Sequence, residues 1–201
     1  LSDVLKQDEN LIHLIDYHKN ISRLYNKSYI ENEFIPKLKN KNKPTTETIA
    51  IHLGASMKLR RPSLNKIYSF LEIVLSKYAS TKNYVIFKLS EDEITSDFVY
   101  KFFTQQKIVA EYWEGNLDDF IEKLSSCTHI FCLDSGPAHI AAALGLEVNV
   151  IFGPSAPHYS RPIGKNVYLH GLKNKPSCWP CDGINCVNNN FQICYSQNLL
   201  N

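Results

Sequence analysis

The chain has 201 residues, 44% of them hydrophobic and 21% charged, with a formal net charge of +2. This composition fits a globular protein with room for one full core, and it gives no electrostatic case for nucleic acid because the lysines are spread out rather than massed on one face. No apolar run approaches the length of a membrane span, and the N-terminus lacks a basic-then-apolar leader pattern.

In chain order, residues 4–35 place Leu11, Ile12, Leu14, Ile15, Ile21 and Leu24 at helical spacing, which predicts one or two amphipathic helices. The stretch PKLKNKNKPTTE (36–47) is rich in Lys and Asn and bracketed by prolines, and reads as a solvated linker and domain boundary. Thr48–Leu53 is predicted as a strand running into Gly54-Ala55-Ser56. Ser63–Tyr78 is predicted as a helix with Ile67, Phe70, Leu71, Val74 and Leu75 on one side. A strand at Tyr84–Leu89, a helix at Glu93–Gln105, a short strand at Ile108–Ala110 and a helix at Leu117–Ser125 follow. Such alternation with short connections predicts an α/β protein, a parallel sheet with helices on both faces.

Residues 133–145, LDSGPAHIAAALG, carry the most information. The apolar run Ile130-Phe131-Cys132-Leu133 ends in Asp134, and an Ala-rich helical stretch closed by Gly145 begins after Ser135-Gly136. A second apolar run, Val148–Phe152, ends in Gly153-Pro154-Ser155. Two strand ends therefore lie beside one helix start, the place where open parallel sheets bind ligands, and the free amides of that helix favour an anion such as phosphate. The competing reading is a buried junction in which Asp134 only caps the helix.

The chain holds six cysteines. Cys127 and Cys132 flank an apolar strand and read as inert core residues. Cys178, Cys181, Cys186 and Cys194 form a CxxC followed by two further thiols, a set that suits a tetrahedral structural zinc or iron site. Disulfides, or plain thiols in a small loop-rich subdomain, are the alternatives.

With these segments in place, the chain resembles the C-terminal half of a family 9 glycosyltransferase, the heptosyltransferase family of lipopolysaccharide core assembly. IAIHLGAS (49–56) is similar to the first strand and loop of that family's nucleotide-binding domain, and LDSGPAHIAAALG to its Asp-Ser/Thr-Gly turn with a His after the Gly. VIFGPSAPHYSRPIG (150–164) resembles its Gly-Pro-Thr/Ser segment and Arg-Pro-x-Gly. IHLIDYHKN (12–20) resembles the stretch where the chain leaves the N-terminal domain.

The resemblance implies one half of a GT-B architecture. A helical segment (1–35) would leave an N-terminal domain absent from this sequence, and a linker (36–47) would lead to a Rossmann-like nucleotide-sugar domain (48–170) and a Cys-rich subdomain (171–201). It implies binding of ADP-heptose or a related donor through Asp134, Ser135, Gly136, Pro137, His139, Ser56 and Gly153. The phosphate-facing charge would come from Lys58, Arg60 or Arg61, among which the departed motif Met57-Lys58-Leu59-Arg60-Arg61-Pro62 does not choose. Glu91, with Glu93 as the fallback, would be a second acid, and Trp113 falls where the family holds adenine, although a core role fits it equally.

The family's general base is an Asp of the N-terminal domain that no segment here matches, so the expectation is a domain that binds donor and transfers nothing alone. No cofactor is required for that chemistry, and the cysteine cluster resembles one that holds iron in some protein-modifying relatives. The acceptor, whether a glycan, lipid A-core or protein, would be met through the absent domain, in the cytoplasm or at the inner membrane face. A protein-modifying heptosyltransferase of the autotransporter type and a non-catalytic assembly module are the alternatives. The lack of G-x-G-x-x-G after the first strand argues against an unrelated nucleotide-binding oxidoreductase.

Overall fold

The computed structural model describes residues 15–16, 36–39, 44–81, 83–88, 93–171, 175–181, 185–189 and 192–195. Its centre is a six-stranded, wholly parallel sheet: β1 (Ile49–His52), β2 (Tyr84–Phe87), β3 (Ala110–Trp113), β4 (His129–Leu133), β5 (Glu147–Ile151) and β6 (Val167–His170). The spatial order is β3-β2-β1-β4-β5-β6, so the direction of winding reverses between β1 and β4. Four helices connect the strands: α1 (Leu64–Lys77), α2 (Glu93–Gln105), α3 (Leu117–Ser125) and α4 (Gly136–Leu144). A short helix, α5 (Pro157–Ser160), lies beyond β5, and single 3-10 turns occupy Lys58–Arg60 and Ile193–Tyr195.

The two-residue alternation of each strand divides the core. Ile49, Ile51, Ile86 and Phe131 face α1 and α2, where Phe70, Leu71, Val74 and Phe103 are fully buried. Ala50, Val85, Ile130, Cys132 and Val150 point the other way, against Phe120 and Leu124 of α3 and the small residues Ala138, Ala141 and Ala142 of α4. These alanines let α4 lie close on β4 and β5. The helix then stops at Gly145, whose φ of 84° is the left-handed conformation that glycine adopts without a Cβ penalty. At the start of α3, the Asn116 side chain accepts from the Asp119 amide at 3.0 Å, a cap worth about 1 kcal/mol.

The predicted α/β class and the elements from β1 to β5 are present, with three differences. The strand expected at Ile108–Ala110 lies instead at Ala110–Trp113, because the chain turns at Lys107 (φ 57°) and leaves Val109 exposed. α5 and β6 have no counterpart in the sequence reading. Of the predicted N-terminal helices, only Ile15 and Asp16 are described, as helix; the rest lies outside the described residues. The linker is not wholly detached, since the Leu38 amide donates to Ala143 O at 2.8 Å and so docks residues 36–39 on the end of α4.

Candidate functional site

The reversal of strand order opens a crevice at the C-terminal ends of β1 and β4, the position that binds ligands in doubly wound sheets. Its lips are the loop Leu53–Ser56 with the 3-10 turn that follows, and the turn Asp134-Ser135 that starts α4. The exit of β5 at Gly153–Ser155 closes one side.

α4 begins without a side-chain cap. Ser135 has extended backbone angles, and its hydroxyl turns back to donate to Leu133 O at 3.2 Å instead of serving the helix amides. Gly136 is exposed and Pro137, in the first turn, brings no amide hydrogen of its own. The Ala138 amide donates to Ser135 O at 3.1 Å, and the exposed His139 lies on the same turn. Around Gly136, among the described residues, no heavy atom beyond its own turn lies within 4 Å of the place a Cβ would take. The first turn of α4, where the positive end of the helix dipole lies, is thus uncrowded beside Gly136.

Asp134 is buried, with 4% of its surface exposed, and both carboxylate oxygens are engaged. Ser155 Oγ donates to Oδ2 at 2.5 Å, Ser160 Oγ lies 3.5 Å from Oδ1, and Arg60 Nη1 lies 3.4 Å from Oδ2. The structure thus separates the three cations that the sequence left equivalent. Arg60 reaches across the crevice to Asp134 while keeping 30% of its side chain exposed. Arg61 turns inward, where its Nε donates to Ala55 O at 2.5 Å and its Nη2 to Ser56 O at 3.4 Å, bracing the loop. Lys58 and Ser56 lie exposed on the outer lip.

Over residues 75–192 the chain matches the family model described as glycosyltransferase family 9 (heptosyltransferase). The chain belongs to glycosyltransferase family 9. It is 35% identical over 48 residues to lipooligosaccharide heptosyltransferase 2 of Haemophilus influenzae, a stretch covering 24% of this chain and 14% of that protein. In three dimensions it is similar to the ADP-heptose lps heptosyltransferase II of E. coli, with a TM-score of 0.64, 18% identity, and coverage of 84% of this chain and 57% of that one. It is also similar to the E. coli heptosyltransferase WaaC with ADP, with a TM-score of 0.59, 15% identity, and coverage of 83% and 51%. The chain thus spans about half the length of the solved structures it matches, and its fold is the Rossmann-like half of a GT-B architecture.

The remaining candidates in this family 9 chain divide by their surroundings. Glu91 lies outside the described residues. Glu93 is exposed at the start of α2 and pairs with Lys88 Nζ at 2.9 Å, an ion pair that ties β2 to α2. Trp113 packs against Phe87 and Phe120, with ring centroids 5.2 and 6.2 Å away, and over Gly115. Those contacts are core contacts. Gly153 is buried, and a methyl group on it would strike the Tyr195 ring, so packing alone already requires glycine there.

The four cysteines expected to hold a structural zinc or iron lie around one cavity of the C-terminal segment. Cys178, Cys181, Cys186 and Cys194 are free thiols lining one small cavity of about 30 Å³, yet among the described residues no three His, Cys, Asp or Glu side chains group as a metal-ligand set. Peptide and amide groups meet the sulfurs instead: Cys186 Sγ lies 3.8 Å from Asn188 O, and Asn188 Nδ2 lies 3.7 Å from Cys178 Sγ. Burial holds the Cys194 thiol above the usual range. The segment is pinned by ordinary polar contacts. Lys175 Nζ donates to Phe152 O, Gly153 O and Cys194 O at 2.9–3.1 Å, and Trp179 Nε1 to Gly153 O at 3.1 Å.

Sequence reasoning missed Ser155 and Ser160 as partners of Asp134, and Tyr195 and Gln192 altogether. Ser155 had a readable signal, since it leaves β5 beside the turn after β4; the other three did not.

Among the described residues, no helix is long and apolar enough to cross a membrane.

Proposed function

We propose that this chain is the donor-binding half of an inverting, heptosyltransferase-like glycosyltransferase of lipopolysaccharide core or surface glycan synthesis. It would hold ADP-heptose or a related nucleotide sugar with the diphosphate on the N-terminus of α4. The observation that carries the reading is the start of α4 at exposed Gly136, with no side-chain cap, and Arg60 paired to the buried Asp134 two residues before it. Names of the related structures support the ligand class: one includes ADP-heptose, and another contains ADP.

In such a transfer the bond from the anomeric carbon to the diphosphate oxygen breaks, and an acceptor oxygen bonds to that carbon from the opposite side. The electron pair of the broken bond stays on the leaving diphosphate, so catalysis needs positive charge fixed there beforehand. Amides of α4 and the planar fork of Arg60 are suited to that task. Asp134 acts by aiming Arg60. Its carboxylate is engaged at both oxygens, so it is not the base that removes the acceptor proton. The resemblance to family 9 assigns that base to the family's N-terminal domain, and on this reading the 201 residues bind donor without transferring it.

Calorimetric titration of the chain with ADP and ADP-heptose tests this reading. The wild type should bind both, and Asp134→Ala should weaken each at least about tenfold, some 1.4 kcal/mol, by releasing Arg60. ADP-heptose should stay intact, with no ADP release above the spontaneous rate. No binding of either nucleotide by the wild type would leave the non-catalytic assembly module as the better account.

A further inference from the structure

The C-terminal segment holds the 3-10 turn that carries Arg60. Tyr195 is buried, with 2% of its surface exposed, and its hydroxyl donates to Arg60 O at 2.5 Å. Gln192, 4% exposed, donates from Nε2 to Arg61 O at 2.5 Å, while its backbone carbonyl accepts from Lys66 Nζ at 2.6 Å. Two successive carbonyls at the end of the turn are therefore grasped by residues 135 and 131 positions later in the chain. Lys175 anchors that segment to the end of β5 through Phe152 O and Gly153 O. On the opposite side, Arg61 ties the turn to Ala55 O and Ser56 O.

Packing alone does not explain this arrangement. A phenylalanine would fill the notch over Gly153 as well as Tyr195 does, without burying a hydroxyl that needs an acceptor. The acceptor chosen is the carbonyl of the residue whose guanidinium reaches Asp134. Building on the donor-site reading above, we infer that Tyr195 and Gln192 are positioning residues for the donor diphosphate, which set the backbone of Arg60 so that its guanidinium faces the start of α4. The Cys-rich segment thereby acts as a brace for phosphate recognition. A cation fixed in advance gives more affinity per contact than one ordered at the moment of binding.

The test is Tyr195→Phe in the 201-residue chain, with Gln192→Ala as a second variant acting on the neighbouring carbonyl. ADP affinity is read by calorimetry, and adenosine affinity by saturation-transfer NMR, which reaches millimolar dissociation constants. Each variant should weaken ADP about fivefold and leave adenosine within about twofold, because only the phosphates meet Arg60. A merely structural role would move both ligands together or neither. Equal weakening of ADP and adenosine, or unchanged ADP affinity in both variants beside a wild type that binds, would overturn the positioning role and leave the donor site standing. Failure of the wild type to bind ADP would remove both.

Discussion

Two glycines at neighbouring strand ends resemble each other in sequence and differ completely in surroundings. Ser135-Gly136-Pro137 leaves β4 and Gly153-Pro154-Ser155 leaves β5, each a small, proline-flanked turn bordering the crevice. Gly136 is exposed, and the position of its missing side chain is open. Gly153 is buried, and the corresponding position is filled by the Tyr195 ring. Among the described residues one turn is left open; the other is filled from the C-terminal segment. Among the described residues the crevice is therefore open at the lip of α4 and filled at the exit of β5, and the proposed donor site uses the first.

The largest expected effect breaks the sealed side. Gly153→Ala drives a methyl group into an aromatic ring that cannot retreat, because Tyr195 is buried and hydrogen-bonded to Arg60 O. Overpacking of this kind costs about 3 kcal/mol, and for a chain of this size a loss of about 6–12 °C in Tm follows. Thermal unfolding followed by circular dichroism reads it directly. Loss of less than about 1 kcal/mol would mean that the ring has space to move and that the turn is not sealed.

The floor of the crevice offers a second, somewhat smaller effect. His52 is the last residue of β1, 1% exposed, with its ring 6.2 Å from that of Phe120. Neither ring nitrogen has a hydrogen-bond partner among the described residues. Burial lowers its pKa from 6.5 to about 4, so the folded chain keeps the ring neutral where the unfolded chain protonates it. Its contribution is therefore complete above about pH 6.5 and is lost as pH falls towards 4, amounting to about 2 kcal/mol between pH 7 and pH 5. His52→Leu should remove that share of the slope, and should add about 1 kcal/mol at pH 7 by deleting two unpaired polar atoms. His170, also lowered to about 4 by burial and Lys77, retains its own share. Urea unfolding at the two pH values decides it: equal slopes in both proteins would show that His52 is satisfied.

How far the sequence reached follows from how local each feature is. β4, its turn and α4 could be read because Asp134, Pro137 and Gly145 mark a strand end, a helix start and a helix stop within thirteen residues. The edge strand β6 could not: Val167–His170 is half exposed and shows no unbroken apolar run. Ile108 and Val109 looked like a strand by composition, but the left-handed turn at Lys107 delays pairing until Ala110. The choice among Lys58, Arg60 and Arg61 was beyond sequence reasoning because distant groups make it, with Asp134 taking Arg60, the Ala55 and Ser56 carbonyls taking Arg61, and Tyr195 holding the backbone between them. The anchoring of the C-terminal segment by Lys175, Trp179 and Tyr195 was equally beyond reach, because their partners lie at the distant end of β5 and in the turn at Arg60.

The open turn gives the smallest structural effect and the sharpest functional one. Gly136 does not occupy the left-handed region, so an alanine there meets no backbone strain, and the described residues offer no atom for its methyl group to strike. Alanine also favours helix, so Gly136→Ala should leave stability within about 0.5 kcal/mol of wild type or slightly above it. A phosphate drawn to the start of α4 would meet that methyl group, and ADP affinity should fall about tenfold, or 1.4 kcal/mol. The two glycine variants then give opposite signatures, one losing stability and the other losing ligand. If Gly136→Ala kept both its Tm and its ADP affinity, the opening at α4 would be vacant surface, and the diphosphate would have to be sought elsewhere along the crevice.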